Sequence, residues 1–574
     1  MRTKVSYCTD GKKFAKEAKK LDPVVAEIMY NRGFKSEEDM AIFLEGILMH
    51  DPSLMKGVDR GAKIIVTAIK KEIPIVVYSD SDMDGVMSAV VGMKLLKLLT
   101  DKVHYYTNNK HIDGYGLCIA GVDNILNEYP DAKLILTADN GIAANEGIAY
   151  ARKKGLAVVV TDHHEPQAVL PSANAIIDPK QLDCQYPFDG ICGATVLYKV
   201  LEKVHEIMGT AKEKVEQALP FCALATVGDV VPLVDENRTI VKKGLEMLET
   251  NPSHAFQLMK SEGIISGFEA HNDVAYRIVP MINALGRMDG NMMQAIELFL
   301  TDNPKKIKLI LRNLVNINEE RKTLTKENVE LAVQLLEEKT GITKDKKEAF
   351  VKALPNVLLL YNKGFSEGVV GIVAGKLKED YERPVIVLTD AQDEGKIKGS
   401  ARSVDGFHLK DVLEAIHLEH GILPEFGGHE KAAGLTLLKD DLPIFEKALI
   451  EKAIQQKIET KPAEIALDAS IEAKDLSVKK IEALYQILSP FGEGFKEPLV
   501  GLNYIPDKTF YMGENRQHVK VVDRCNQISV IMWNGTDIYN QVKHPKGKAV
   551  GRFQINEYNN KKSLQMIVEG QIMA

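Results

Sequence analysis

The sequence predicts an α/β protein of several domains: a parallel-sheet domain, a second α/β unit joined to it by a long helix, and a C-terminal β-barrel. Three observations carry this. Apolar, β-branched runs alternate with helical stretches such as GVMSAVVGMKLLKLL and ANEGIAYARKKG between residues 59 and 250, the texture of a buried parallel sheet flanked by helices. From Pro304 to Gly341 a charged stretch repeats its apolar residues at helical spacing without a break, which predicts one long helix whose mixed charges form a solvated face. After KPAEIALDASI the pattern changes to short alternating runs, among them VKVVD, ISVIMWN, KAVGRFQI and SLQMIVEGQIM, separated by turn residues, as in a small barrel.

Taken in order, residues 1–58 read as an N-terminal helical cap, 59–250 as the catalytic domain and 251–345 as a connector holding the long helix. Residues 346–458 form the second α/β unit, with VLLLYN and PVIVLTD as its clearest strands, and 459–574 form the barrel. At 574 residues the chain is too long for one core. Its 45% hydrophobic and 27% charged residues are those of an ordinary globular protein. No apolar stretch approaches membrane-spanning length, and MRTKVSYCTDGKK lacks a signal-peptide core. The six cysteines form no CxxC pair, so neither a zinc site nor a disulfide framework is indicated and a reducing cytoplasm fits. The net charge of −7 argues against indiscriminate coating of DNA, though a narrow basic groove can coexist with an acidic exterior. Of the barrel aromatics Tyr504, Phe510, Tyr511, Trp533 and Tyr539, core packing is expected before base stacking, and Trp533, the one tryptophan, is expected to be buried.

Chemistry concentrates in four apolar runs that stop on an acid: IVVYSDSDMDG, LILTADNG, VVVTDHHEP and ALATVGDVVPL. Each reads as a strand ending at Asp80, Asp139, Asp162 or Asp229, and open parallel sheets bind ligands beyond the carboxyl ends of their strands. Asp80, Asp82 and Asp84 alternate and are followed by Gly85. Carboxylates so close repel one another, and a multivalent cation compensates the charge. DSDMDG also opens a calcium-loop pattern, but the twelfth position is Val91 rather than Glu and a strand precedes it. Asp162-His163-His164 adds imidazole to the oxygen ligands, which tilts the choice between Mg²⁺ and Mn²⁺ towards Mn²⁺. Spacing and charge together give a dinuclear phosphoesterase.

The ordered series DSDMDG, TADNG, TDHHEP and VGDVVPL resembles the four motifs of the DHH phosphoesterase superfamily, and within it the RecJ-like single-stranded-DNA-specific exonucleases. VVAEIMYNRGFKSEEDMAIFL resembles the N-terminal segment of that group and RIVPMINALGRMDG its arginine-bearing segment. SEGVVGIVAGKL, KGSARSVDGFHL and FGGHEKAAGLTL resemble its DHH-associated domain. The resemblance implies an OB fold for the barrel and metal ligation by Asp80, Asp82, Asp84, Asp139, His163 and Asp229, with Asp139 bridging two divalent cations, Mn²⁺ or Mg²⁺. It implies that His164 faces the scissile phosphate and Asp162 orients the histidine pair. A pocket for the 5′-terminal phosphate is implied at Arg287, Ser400 and Arg402, and a backbone contact at His429 beside Gly427 and Gly428. Guanidinium forks suit phosphate and glycines allow close approach. Two positions depart from the family pattern: Lys110 stands where an arginine is common before the EGYG-like turn, and Ser366 where a histidine is common.

The activity so implied is metal-dependent 5′-to-3′ hydrolysis of single-stranded DNA to 5′-mononucleotides, in DNA recombination and repair. A single-strand-binding protein or a helicase is an expected partner and a monomer the expected state. Three other readings compete: a DHH phosphodiesterase of short oligonucleotides or cyclic dinucleotides, an RNA-preferring exonuclease, and a non-catalytic nucleic-acid scaffold. Retention of every ligand position counts against the last.

Overall fold

The computed structural model describes residues 4–109, 113–114, 116–288, 290–456, 464–525, 528–541, 547–559 and 561–569. They fall into two compact units, one comprising Met1–Pro280, Asn291–Ile310 and Pro462–Ala574, the other Met281–Gly290 and Leu311–Lys461.

The first unit is built on five parallel strands in the spatial order Val103–Thr107, Ile75–Ser79, Leu134–Ala138, Ala157–Thr161, Ala175–Ile177. Every residue of Ile75–Ser79 and Leu134–Ala138 is buried, which explains their unbroken apolar runs: both faces of these strands are covered by helices. Ile75–Ser79 is first in the chain and second in space, with the next strand on one side and the third on the other. Connections therefore leave this pair of strands in opposite directions and open a crevice beyond Ser79 and Ala138. The helix Met83–Leu96 follows the first strand and has nearly every residue buried, while Gly193–Met208 packs beside it.

The fourth acidic run departs from expectation. Residues Leu219–Gly228 form a helix, not a strand, and Asp229 is its C-terminal cap. Eight of its ten residues are buried, so the run lacks the polar face that betrays a helix in a sequence. The N-terminal region also differs: Lys4–Tyr7 is a strand paired in parallel with Glu464–Leu467. The helices Pro23–Asn31 and Glu37–Glu45 bury Val25, Ile28, Met29, Met40 and Phe43 in one core with Leu502, Val519, Val530 and Met566 of the C-terminal region.

That C-terminal region is a seven-stranded sheet in the order Ala469–Glu472, Val500–Asn503, Lys548–Tyr558, Lys561–Val568, Ser529–Met532, His518–Asp523, Pro506–Met512. Tyr504 is buried as expected, but Trp533 is 56% exposed, and Phe510 and Tyr511 are exposed as well. The lone tryptophan lies past the end of the strand Ser529–Met532, edge-on to His518, where no core faces it.

Arg238 ties these parts together. Its guanidinium is fully buried and donates to the carbonyls of Phe43, Leu488, Ser489 and Pro490 while lying over the rings of Phe43 and Phe495. Nearby, Lys199 pairs with Glu236 at 2.9 Å and donates to the His50 carbonyl, and Tyr186 donates to Glu236.

The second unit holds a five-stranded sheet in the order Glu425–Gly428, Ala432–Leu438, Lys396–Arg402, Val385–Asp390, Leu358–Tyr361, with only the last pair parallel. Val370–Tyr381 packs on one face, and Leu409–His420 and Leu442–Gln455 on the other. The predicted long helix runs from Pro304 to Thr340. Among the described residues, no helix is long and apolar enough to cross a membrane.

Removing the Arg238 guanidinium leaves four carbonyls short of a donor, and each unsatisfied buried group costs about 1–3 kcal/mol. Arg238→Met is therefore expected to destabilise the first unit by at least about 3 kcal/mol in denaturant unfolding; an unchanged midpoint would contradict the role of Arg238 as the tie.

Candidate metal centre and phosphate cluster

The crevice beyond the strand ends is where the acidic side chains meet. Asp82 caps the helix Met83–Leu96 by accepting from Gly85 N–H at 3.1 Å. A Cβ on Gly85 would lie 2.2 Å from the Asp80 carbonyl, so only glycine lets the helix start this close to the strand end. Asp84 is buried and accepts the N–H groups of Gly193 at 2.7 Å and Ala194 at 2.9 Å, at the start of the helix Gly193–Met208. This is a favoured seat for a carboxylate, since a helix N-terminus offers unsatisfied donors and partial positive charge.

Asp139 adopts a left-handed conformation, φ 64°, which Asp tolerates better than most residues. Asn140 holds that turn by donating to the Tyr78 and Ala138 carbonyls. Gly193 presses on it from the other side: a Cβ there would lie 2.5 Å from the Cβ of Asp139.

His163 Nε2 stands 3.2 Å from Asp139 Oδ1, 3.6 Å from Asp229 Oδ2 and 3.7 Å from Asp84 Oδ2. Burial, reinforced by the charge of His164, pushes the His163 pKa down to about 3, so the ring is neutral and offers a lone pair rather than a balancing charge. His163 Nε2 and Asp139 Oδ1 are both buried without a hydrogen-bond partner among the described residues. Three overlapping groups have ligand atoms within 4.8 Å of one another: Asp80, Asp82 and Asp139; Asp84, His163 and Asp229; and Asp139, His163 and His164. Asp139 is common to two of them. Thus all six predicted ligands gather in one cleft, and the set of hard oxygens plus imidazole suits Mn²⁺ or Mg²⁺.

The electrostatics are those of a site short of positive charge. Burial, then the neighbouring Asp82, raises Asp80 to about 6 and Asp84 to about 7; burial, then Asp84, raises Asp229 to about 8. Asp139 is pushed well up for the same reasons. Asp162 goes the other way: burial opposes its charge, but His164 and backbone N–H groups hold it down. Its Oδ1 accepts from His164 Nδ1 at 2.8 Å and from the backbone of both histidines, while Oδ2 accepts from Ile142 N–H. Of the two rings it therefore fixes that of His164. The same bond lifts the His164 pKa to about 9 against burial, leaving a half-exposed imidazolium at the rim.

Two contributors escape a side-chain reading of the sequence. The Gly193 and Ala194 amides leave no residue-type signature beyond the glycine itself. Asp178 ends the short strand Ala175–Ile177, accepts from Lys180 N–H at 2.8 Å, and is raised to about 7, mainly by burial, within reach of Asp162 and His164. AIID repeats the pattern of an apolar run stopping on Asp, in a run of three residues.

The second unit gathers the other predicted positions. Ser400 and Arg402 share the strand Lys396–Arg402, and Arg402 Nη1 donates to Ser400 Oγ at 2.7 Å and to the Ala401 carbonyl. Among the described residues, no carboxylate pairs with Arg402. Arg287, near the end of the helix Val279–Met288, lowers the pKa of Arg402 by its charge, after burial. Gly427 lies beside Gly434, which lies beside Ser400, in a row of small residues across three strands with open space over Gly427. Gly428 has φ 141°, and a Cβ there would lie 2.3 Å from the Ala432 carbonyl, so the hairpin itself requires this glycine. His429 follows, exposed, its N–H bonded to Ala432. Ser366 donates its N–H to Asn328. Lys110 lies outside the described residues.

Metal and protons compete for the raised carboxylates. Protonation of groups whose folded pKa is raised favours folding fully below the ordinary carboxylate value of about 4, and that contribution is lost as pH rises through about 6 to 8. A bound cation replaces the protons, so Mn²⁺ is expected to raise the unfolding temperature more at pH 8 than at pH 6. At a hundred times its Kd, bound ion adds about 2.7 kcal/mol. Calorimetry with Mn²⁺ and with EDTA at both pH values checks this; an equal gain at both, or none, would contradict it.

Three family models match the chain: the DHH family N-terminal domain over residues 74–226, the DHHA1 domain over 349–456 and the RecJ OB domain over 467–570. The single-stranded-DNA-specific exonuclease RecJ of Bacillus subtilis is 32% identical over 557 residues, spanning 96% of this chain and 68% of that protein. The crystal structure of RecJ in complex with Mn²⁺ from Thermus thermophilus superposes with a TM-score of 0.81 at 24% identity, over 99% of this chain and 79% of that one. The Mg²⁺ complex of the same protein gives 0.73 at 22%, over 99% and 78%. These likenesses coincide with the acidic cleft, the second α/β sheet and the C-terminal sheet, and the chain belongs to the RecJ family of DHH proteins.

Proposed function

We propose that this chain is a metal-dependent exonuclease that hydrolyses single-stranded DNA from its 5′ end and releases 5′-mononucleotides. The observation that carries this is the neutral His163 ring facing Asp84, Asp139 and Asp229 at 3.2–3.7 Å, a donor set complete for divalent cations and electrically costly without them. Family membership supplies the polymer: the relative's name, single-stranded-DNA-specific exonuclease, is the activity this reading transfers. A phosphodiesterase of short oligonucleotides is not favoured, because the likeness to RecJ extends over 96% of the chain.

In this reading Asp80, Asp82, Asp84, Asp139, His163 and Asp229 would hold two cations, Asp139 being the carboxylate common to two of the ligand groups. Bound there, the ions supply Lewis acidity to an attacking water and to the phosphoryl oxygens. His164, held as an imidazolium by Asp162, donates a hydrogen bond to charge developing on the phosphate. Arg287, Ser400 and Arg402 hold the terminal phosphate; His429 and the open backbone at Gly427 receive the strand.

Digestion of 5′-labelled and 3′-labelled single-stranded DNA and RNA, with Mn²⁺, Mg²⁺ or EDTA, tests it. Expected are release of 5′-mononucleotides from DNA, loss of activity in EDTA, and a fall of at least about 10³-fold in Asp139→Ala, the scale of several kcal/mol of lost charge stabilisation. Cleavage from the 3′ end, or activity that survives EDTA, would contradict it, and faster cleavage of RNA would reassign the polymer.

A further inference from the structure

Asp229 differs from its neighbours in the cleft in what holds it. The carboxylates of Asp82 and Asp84 accept backbone amides. That of Asp229, 3.6 Å from His163 Nε2, accepts no hydrogen bond among the described residues, so its place is set by its backbone. That backbone leaves the helix Leu219–Gly228 and enters the helix Asp235–Thr250 through residues 229–234. Val230 has φ 59°, an outlier for a β-branched side chain that persists only where the surroundings enforce it. Yet Val230 is exposed, and with Val227 and Val231 it borders a cavity of about 570 Å³, so no core enforces the first half of the loop.

The restraint lies at the other end. Leu233 is buried and its N–H donates to the Glu493 carbonyl at 2.7 Å. Glu493 and Gly494 form a tight turn in which Gly492 N–H bonds the Phe495 carbonyl at 3.0 Å and Phe495 N–H bonds that of Gly492 at 3.3 Å. A Cβ on Gly492 would lie 2.6 Å from Leu233 Cδ1, and one on Gly494, at φ 72°, 2.9 Å from Pro232 Cβ. The Pro232 carbonyl in turn accepts from the buried Asn237 side chain at 2.9 Å. The turn is anchored behind: Phe495 is buried under the Arg238 guanidinium, which also bonds the Ser489 and Pro490 carbonyls.

We propose that the turn 492–495 of the C-terminal region, acting through Pro232 and Leu233, positions Asp229 for the cation it shares with Asp84 and His163. This rests on the pair of cations assigned above. Asp84, His163 and Asp229 make one ligand group and Asp80, Asp82 and Asp139 another, so an element that acts through Asp229 tunes one ion and spares the second. The C-terminal region is then a working part of the metal centre, because the groups that orient a ligand govern affinity almost as the ligand does.

Calorimetric titration of the full chain with Mn²⁺, beside cleavage of single-stranded DNA at stepped Mn²⁺, tests this. Gly494→Ala drives a methyl group into Pro232; Pro232→Gly adds no atom, removes the same contact and serves should the first variant not fold. In each, the Kd of one Mn²⁺ is expected to rise about 10-fold, the scale for groups that orient a metal ligand, and that of the other to stay within about twofold. At saturating Mn²⁺ kcat is expected to recover, with KM for DNA within about twofold of wild type throughout. Combined with Asp229→Asn, Gly494→Ala is expected to weaken Mn²⁺ by less than about a further twofold, since both act through one carboxylate. Unchanged affinity at both sites, equal weakening of both, or a loss that saturating Mn²⁺ does not restore overturns the role of the turn while leaving the cation pair standing. A wild-type chain that takes up no Mn²⁺, or one ion only, overturns the pair itself.

Discussion

Like charges confined away from water must be neutralised, and in this protein that one requirement organises the structure. Asp80, Asp84, Asp139 and Asp229, with the exposed Asp82 at the rim, converge where two neighbouring parallel strands send their connections in opposite directions, and the nearest ring, His163, is too buried to carry charge. Coulomb repulsion at these separations in a poorly solvated cleft costs several kcal/mol. The surrounding backbone holds the carboxylates against it: Asp84 through two amides at a helix start, Asp139 in a left-handed turn backed by Gly193, and Asp80 beside the helix start that Gly85 permits. Such scaffolding keeps the acids together so that cations can complete them.

The second unit shows the opposite sign of the same physics. Arg287 and Arg402 share a neighbourhood with a serine hydroxyl and a row of small residues. A net charge of −7 for the chain is thus no obstacle to handling a polyanion, because the groups that matter are concentrated and the exterior need not attract DNA.

How much of this was legible in the sequence depended on whether side-chain type or tertiary context decided the outcome. The three strands ending at Asp80, Asp139 and Asp162 read correctly because a buried parallel strand is a run of β-branched residues whose end is marked by a polar one. The run before Asp229 did not, since a ten-residue helix buried almost all round has no polar stripe and matches a buried strand in hydropathy. Trp533 was expected inside as the one tryptophan, yet it follows a strand end with only His518 edge-on to it among the described rings and is half-exposed. Backbone donors at Gly193 and Ala194 carry no side-chain signal, and Asp178 was hidden by the shortness of its strand.

The acidic cleft is built for a pair of cations. Anomalous diffraction from crystals of this protein grown with Mn²⁺ tests it most directly. Two peaks about 3.5–4 Å apart, flanking the Asp139 carboxylate with His163 Nε2 ligating one of them, are the predicted result. An empty cleft, or a single ion that leaves Asp139 outside its ligands, would contradict the account.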